Sequence, residues 1–363
     1  MKKIIITVAV IIVVLVAGIY VINIYEADSE VTKEATKVGL ILNGYKDDKS
    51  WSQSHYESLT ETARELNLNI ICKEYVTTDN AAYEIQNLVD EGCEVIIANS
   101  DLFKSNVIKA AELYPEVYFL HASGTEYSKN LCSYFGRMYQ ARYLAGLAAG
   151  LQTKTGSIGY VAAMPICEVN RGINAFALGV RSVNPDAQIY VRWTDSWTGD
   201  LPAQNAAEQL LIEHDIDVIT VHTDTIAPLL VAEEKGISAI GYNVDNRGEY
   251  PNAYLTAAVW DWKPFYTAKI LSCLQGKFVG DNYWEGIDTG MVSLAPLSDK
   301  VGDEVSEIVE EAKQRLLTGA YDVFYGPIYD NNGTLRVAEG ECMTDSAMLN
   351  EFDWYVEGVV IES

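Results

Sequence analysis

Two short stretches pair an indole with small hydrogen-bonding groups: Asp47-Asp48-Lys49-Ser50-Trp51-Ser52 and Arg192-Trp193-Thr194-Asp195-Ser196-Trp197. Neither sets a nucleophile beside a base. The chemistry they suit is recognition, with an indole face on a planar ligand and hydroxyls and carboxylates on its polar edge. Stacking of that kind contributes roughly 1–3 kcal/mol per ring. Similar groups recur in Asn99-Ser100-Asp101, His121-Ala122-Ser123-Gly124, Ala163-Met164-Pro165, His222-Thr223-Asp224 and Asn243-Val244-Asp245. A few convergent polar groups between aromatic walls are what a small-molecule cleft needs.

Bond-breaking chemistry has less support. The four histidines are His55, His121, His214 and His222. His121 and His222 are placed where a general base could act, yet no pattern ties them to a nucleophile. Phosphate-loop, nucleophile-elbow and zinc-protease motifs are absent from the sequence. The six cysteines are scattered without a C-x-x-C pair, so they read as small buried hydrophobes rather than metal ligands. The expectation is a binding protein: not an enzyme, with no cofactor and no metal.

The recognition stretches share a position in the chain. Lys37–Leu42 and Ala187–Val191, which precede the two indole stretches, are β-branched and Leu-rich runs of the kind that form buried parallel strands. Each strand is followed by a helical segment, and this alternation runs from Lys37 to Leu120, then starts again at Ser157. Repeated βαβ units imply parallel sheets with right-handed crossovers. Two sets imply two α/β lobes, with ligand at the carboxyl ends of the strands. Gly and Ala in the Tyr139–Gln152 helix imply close packing of that helix on a sheet. Val323–Val337 reads as a β-hairpin turning at Asn332-Gly333. The aromatic end from Leu349 to Val360 reads as packing.

Composition narrows the partners. The net charge of -25 across 363 residues repels phosphate backbones, so nucleic acid is excluded as a partner. At the start, Lys2 and Lys3 precede the uncharged apolar run Ile4–Ile22. That run is near the roughly 17–25 residues that span a bilayer. Bulky residues follow it, without a small-x-small cleavage signal. Residues 1–25 therefore read as a signal-anchor, or alternatively a cleaved signal peptide, and residues 26–36 as a polar linker. The body would lie on the extracytoplasmic face of the cell membrane, or be secreted or periplasmic if the leader is cut.

A family resemblance joins these observations. Asp48-Lys49-Ser50-Trp51-Ser52-Gln53, Arg142-Tyr143-Leu144-Ala145-Gly146, Ile158-Gly159-Tyr160-Val161-Ala162, Asn174-Ala175-Phe176-Ala177-Leu178-Gly179, Val183-Asn184-Pro185-Asp186-Ala187 and Gly241-Tyr242-Asn243-Val244-Asp245 resemble the basic membrane protein family. That family comprises ABC-transporter substrate-binding proteins, purine-nucleoside receptors among them. The resemblance implies a type I periplasmic-binding-protein fold, two Rossmann-like lobes joined by three crossovers. It puts residues 37–135 plus about 261–285 in lobe 1, and residues 136–260 plus about 286–363 in lobe 2 and a C-terminal tail.

It also implies roles. Trp51 and Trp197 match the aromatic pair that sandwiches a purine, and Asp48 matches the Asp of the first aromatic's motif. Ser52 replaces an Asn, and Trp260 falls where a ribose-contacting Lys would lie, which favours a free purine base over a nucleoside. The full expected ligand-binding set is Asp48, Ser50, Trp51, Ser52, Asn99, His121, Met164, Trp197, His222, Asn243, Asp245 and Trp260. The expected partners are the small ligand, an ABC permease and its ATPase, and the membrane through the N-terminal segment. Alternatives are a nucleoside receptor or a sensory module that signals to a membrane partner.

Overall fold

The computed structural model describes residues 35–362. The expected leader and residues 26–34 of the linker lie outside the described residues. Apolar runs become strands as the alternation implies: β1 (Lys37–Ile41), β2 (Asn69–Lys73), β3 (Val95–Ala98), β4 (Tyr118–Ala122) and β5 (Leu131–Gly136), then β6 (Ser157–Ala162), β7 (Gln188–Trp193), β8 (Val218–His222), β9 (Ser238–Asn243) and β10 (Tyr254–Trp260). β3 is buried at every position, and β1 from Val38 onward. A strand covered by helices on both faces needs such continuous apolar sequence.

Three short strands escape the sequence pattern: β11 (Asn282–Glu285), β12 (Val292–Leu294) and β15 (Val359–Ile361). Each sits at an edge of its sheet and is only three or four residues long, too short to show a periodic pattern. The first sheet has the order β11-β5-β4-β3-β1-β2 and the second β12-β10-β9-β8-β6-β7-β15. β12 runs antiparallel to β10, and the other ladders in both sheets are parallel. The chain leaves the first sheet after β5, returns to it at β11 after β10, and leaves again for β12. These are the three crossovers of a type I periplasmic-binding-protein fold with two Rossmann-like lobes.

The tail adds β13 (Ile328–Tyr329) and β14 (Leu335–Val337), an antiparallel pair. The hairpin is shorter than its sequence suggests. Asp330 Oδ1 accepts from the amides of Asn332 (2.9 Å) and Thr334 (2.9 Å), so the loop is organised by a side chain rather than by longer strands. Gly333 takes the positive φ of 79° that Asn-Gly turns require.

The small residues of the Tyr139–Gln152 helix meet another helix, not only a sheet. A Cβ at Gly146 would fall 2.1 Å from the Phe176 carbonyl oxygen, and one at Gly179 2.1 Å from that of Tyr143. The Tyr139–Gln152 and Cys167–Val183 helices thus cross with their backbones in contact. Gly146→Ala must separate them, and overpacking of that kind costs about 1–3 kcal/mol. We expect its urea midpoint to fall with an unchanged m-value; an unaltered midpoint would refute the close crossing.

Candidate ligand cleft

A cleft of about 1080 Å³ is walled by residues from both lobes. From the first lobe come Asn43, Trp51, Asn99 to Leu102, Ser123 to Thr125 and Phe135; from the second come Met164, Ile166, Glu168, Arg171, Asp195 to Thr198, Asp224 and Tyr242. Nearly all follow the carboxyl end of a strand, where helix N-termini and loops leave backbone donors free. Of the predicted residues, Trp51, Asn99, Met164 and Trp197 line this cleft.

Trp51 opens the Trp51–Leu66 helix. Its Nε1 donates to the Asn99 carbonyl at 2.7 Å. Its ring meets Trp260 and Trp262 edge-on, with centroids 5.9 and 5.4 Å away, and those two rings stack on each other at 4.4 Å. Trp51 is 8% exposed, so the ring is held rigidly with little free surface. Trp260 is therefore a support beneath the cleft, not part of its lining. Trp197 is less enclosed. Its carbonyl accepts from the Asp224 amide at 2.7 Å, and its ring meets the edge of His222 at 6.0 Å.

The remaining predicted residues, the exposed Asp245 apart, act behind the surface. Both carboxylate oxygens of Asp48 accept backbone amides, those of Ser50 (2.8 Å), Ser52 (2.9 Å) and Gln53 (3.0 Å). Asp48 thus satisfies the free amides at the start of the Trp51–Leu66 helix. Ser52 Oγ is 3.4 Å from Asn43 Oδ1. His121 is fully buried, with Nε2 2.9 Å from the Ser100 carbonyl. A Cβ on Gly124 would lie 2.3 Å from its Nδ1, so His121 supports the Ser123–Thr125 wall from below. Asp245 pairs with Arg247 and does not reach the cleft.

Ser50, Asn243, Asp224 and Trp260 form one network. Asn243 Nδ2 donates to Ser50 Oγ (2.8 Å) and Asp224 Oδ1 (2.9 Å), and its Oδ1 accepts from Trp260 Nε1 (2.9 Å). Ser50 belongs to the first lobe and Asn243 to the second, so the amide bridges them. Asn243 takes a φ of 69°, a conformation that Asn tolerates better than most residues.

His222 lies between Tyr160 and Glu168, with Nδ1 3.2 Å from the phenol and Nε2 3.0 Å from the carboxylate. Burial and the nearby Arg142 guanidinium push its pKa down to about 4 against the pull of Glu168. It stays neutral, accepting from Tyr160 and donating to Glu168. No histidine lines the cleft.

Sequence reasoning missed Glu168, Arg171, Tyr242, Phe135 and Trp284 as lining residues, and left Asp224 out of the final set. Glu168 and Arg171 carried a usable signal. They stand three residues apart in the first turns of a helix that follows a strand, which places both on one face at the sheet's carboxyl edge. Leu349 and Asn350, from the tail, also reach the cleft, and nothing local in the sequence marks them.

Asp224 yields a test. Burial, then the charge of Asp48, raises its carboxyl well above the ordinary value, outweighing the Asn243 hydrogen bond. The folded chain therefore keeps a proton that the unfolded chain releases above its ordinary pKa. Stability tied to this group is present at low pH and lost as pH rises past about 4. Asp224→Asn removes that loss while retaining an oxygen for Asn243. Differential scanning calorimetry of the unliganded protein should show a higher Tm for the variant at pH 7.5, with the gain fading toward pH 4. A lower Tm at pH 7.5 would contradict a raised carboxyl pKa at Asp224.

Comparison with known proteins agrees with this architecture. A family described as ABC transporter substrate-binding protein PnrA-like matches residues 35–320. A purine-binding protein of Brucella abortus is 33% identical over 90% of this chain and 93% of its own length. A putative ABC transporter glucose-binding protein of Haloferax volcanii is 33% identical over 86% and 77% respectively. An ABC transporter solute-binding protein structure from Conexibacter woesei superposes with a TM-score of 0.68 at 19% identity, covering 79% of this chain and 98% of that one.

Proposed function

Because this chain belongs to the PnrA-like family of ABC transporter substrate-binding proteins, we propose that it captures a purine base, or a related flat heterocycle, for an ABC importer. The observation that carries the reading is the pair of indoles, Trp51 and Trp197, supplied to one cleft by opposite lobes. A planar ring held by indoles from two lobes gains stacking only when the lobes come together. Ligand binding and lobe closure are then one event. Polar groups from both walls, Asn43 and Ser123 from one and Ser196 and Asp224 from the other, suit the ring's edge. The purine-binding relative supports this ligand class, and the glucose-binding relative, equally identical at 33%, makes glucose the competitor to test.

The family works outside the cytoplasm. We extend the proposal to the leader: residues 1–25 hold the body at the extracytoplasmic face of the membrane. Permease and ATPase partners follow from the importer role.

Titration with adenine, hypoxanthine, adenosine and glucose, followed by tryptophan fluorescence, tests the ligand class. We expect a purine base to bind most tightly. Glucose binding with no response to any purine would overturn the reading. Trp197→Ala removes one stacking face without disturbing the Trp51 aromatic cluster. It should weaken purine binding roughly 5- to 150-fold, the equivalent of about 1–3 kcal/mol, with far-UV circular dichroism unchanged.

A further inference from the structure

Arg171 is the one cleft-lining cation among the described residues. It is only 4% exposed. Its Nη1 donates to the Met348 carbonyl at 2.7 Å, and the guanidinium sits 5.4 Å from the Trp284 ring centroid. Among the described residues it makes no ion pair within 4.0 Å, and its Nε and Nη2 find no acceptor. Those two nitrogens are not sealed, in contrast to Nε and Nη2 of Arg142, which are buried without a partner. A guanidinium fixed at one corner, with its other donors open to a cleft, is built to meet an acceptor on a ligand.

We infer that Arg171 reads an oxo group, so that the cleft takes 6-oxopurines in preference to adenine; this rests on the purine reading above. The forked donors of Arg match the adjacent O6 and N7 acceptors of a guanine-type edge, whereas adenine presents an amino donor where O6 would be. Facing a buried guanidinium with another donor leaves both unpaired, and charged groups make that mismatch costly. Glu168 complements the arrangement. It lines the cleft on the same helix face, and only one of its oxygens is engaged, by His222. A free carboxylate oxygen suits the N1–H that adjoins O6 in a 6-oxopurine. The anchor for Arg171 comes from Met348, in the tail beyond the family-matched residues 35–320. Arg171 is thus held in place by the tail rather than by a neighbour on its own helix.

Isothermal titration at pH 7.5 with hypoxanthine, guanine and adenine tests this. The unaltered protein should bind hypoxanthine roughly 5- to 150-fold more tightly than adenine. Arg171→Gln should shrink or invert that ratio, because an amide pairs with the N6 and N7 edge of adenine. Arg171→Lys keeps the charge but loses the fork, and should fall between. Equal or tighter adenine binding by the unaltered protein overturns the inference, whether or not the variants fold. An unchanged ratio in a folded Arg171→Gln protein, judged by its melting curve, does so too. Should no purine bind at all, the ligand class itself falls; purines bound without preference remove only the role given to Arg171.

Discussion

A single buried amide holds the cleft together. Asn243 ends β9 in the second lobe, and its side chain spans to Ser50 in the first. All of its hydrogen-bonding directions but one lone pair are engaged, by Ser50, Asp224 and Trp260. No aliphatic or charged residue could do the same, because the site needs two donors and an acceptor from one planar group. Trp260 in turn supports Trp51, and Asp224 faces the ligand space. The amide therefore couples lobe approach, the position of one stacking ring and the protonation of a lining carboxyl. A second contact set outside the cleft, Asn246 to the Lys49 carbonyl (2.6 Å) and Lys49 to Glu249 (2.7 Å), joins the same two loops. The exposed Lys49–Glu249 pair contributes little energy, whereas Asn246, like Asn243, is buried.

Behind the largely apolar lining of the cleft, polar groups survive by mutual satisfaction. Asp48 caps a helix, His121 holds a carbonyl, and His222 links Tyr160 to Glu168. Each buried polar group with a partner avoids a desolvation cost of about 1–3 kcal/mol. The consequence is rigidity. Side chains that make two or three fixed hydrogen bonds cannot swing to accommodate ligands of different shape. Discrimination can then come from the few lining groups that still have unused donors and acceptors.

The sequence made the fold legible because its signals are repeated. Buried parallel strands advertise themselves as apolar runs, and β1, β3, β6 and β8 follow that pattern. The short edge strand β11 does not: it reads Asn-Tyr-Trp-Glu and is exposed at both ends. The site was legible in location and less so in role. Strand-end position correctly marks a neighbourhood, yet cannot say whether a side chain points to ligand or to its own helix. Asp48 and Ser50 sit in the right loop and turn inward. Arg171 and Glu168 line the cleft from the Cys167–Val183 helix, which follows β6. Distinguishing these cases takes hydrogen-bond partners, which spacing alone does not supply.

The tail shows the same limit on a larger scale. The Tyr355 hydroxyl donates to Asn170 Oδ1 at 2.8 Å, but three other bonds from the Cys167–Val183 helix end on backbone carbonyls of the tail: Asn170 to Phe352 (2.8 Å), Arg171 to Met348 (2.7 Å) and Asn174 to Trp354 (2.9 Å). A carbonyl is present at every residue, so no side-chain pattern in the tail encodes these bonds. The code lies instead in the helix, where Asn170, Arg171 and Asn174 are buried polar residues on an otherwise apolar face. Three such residues within five positions need partners from outside their own helix. Arg137, at the first crossover, reaches the tail as well, through a two-pronged pair with Asp345. The tail is therefore fastened both to the helix that bears Arg171 and to a segment where the chain passes between lobes. A movement of the lobes about that crossover and the placement of Arg171 draw on the same short helix, Asp345–Asn350. In the proposed function, closure and selectivity share a structural element, which would tie the reading of a ligand edge to the act of enclosing it.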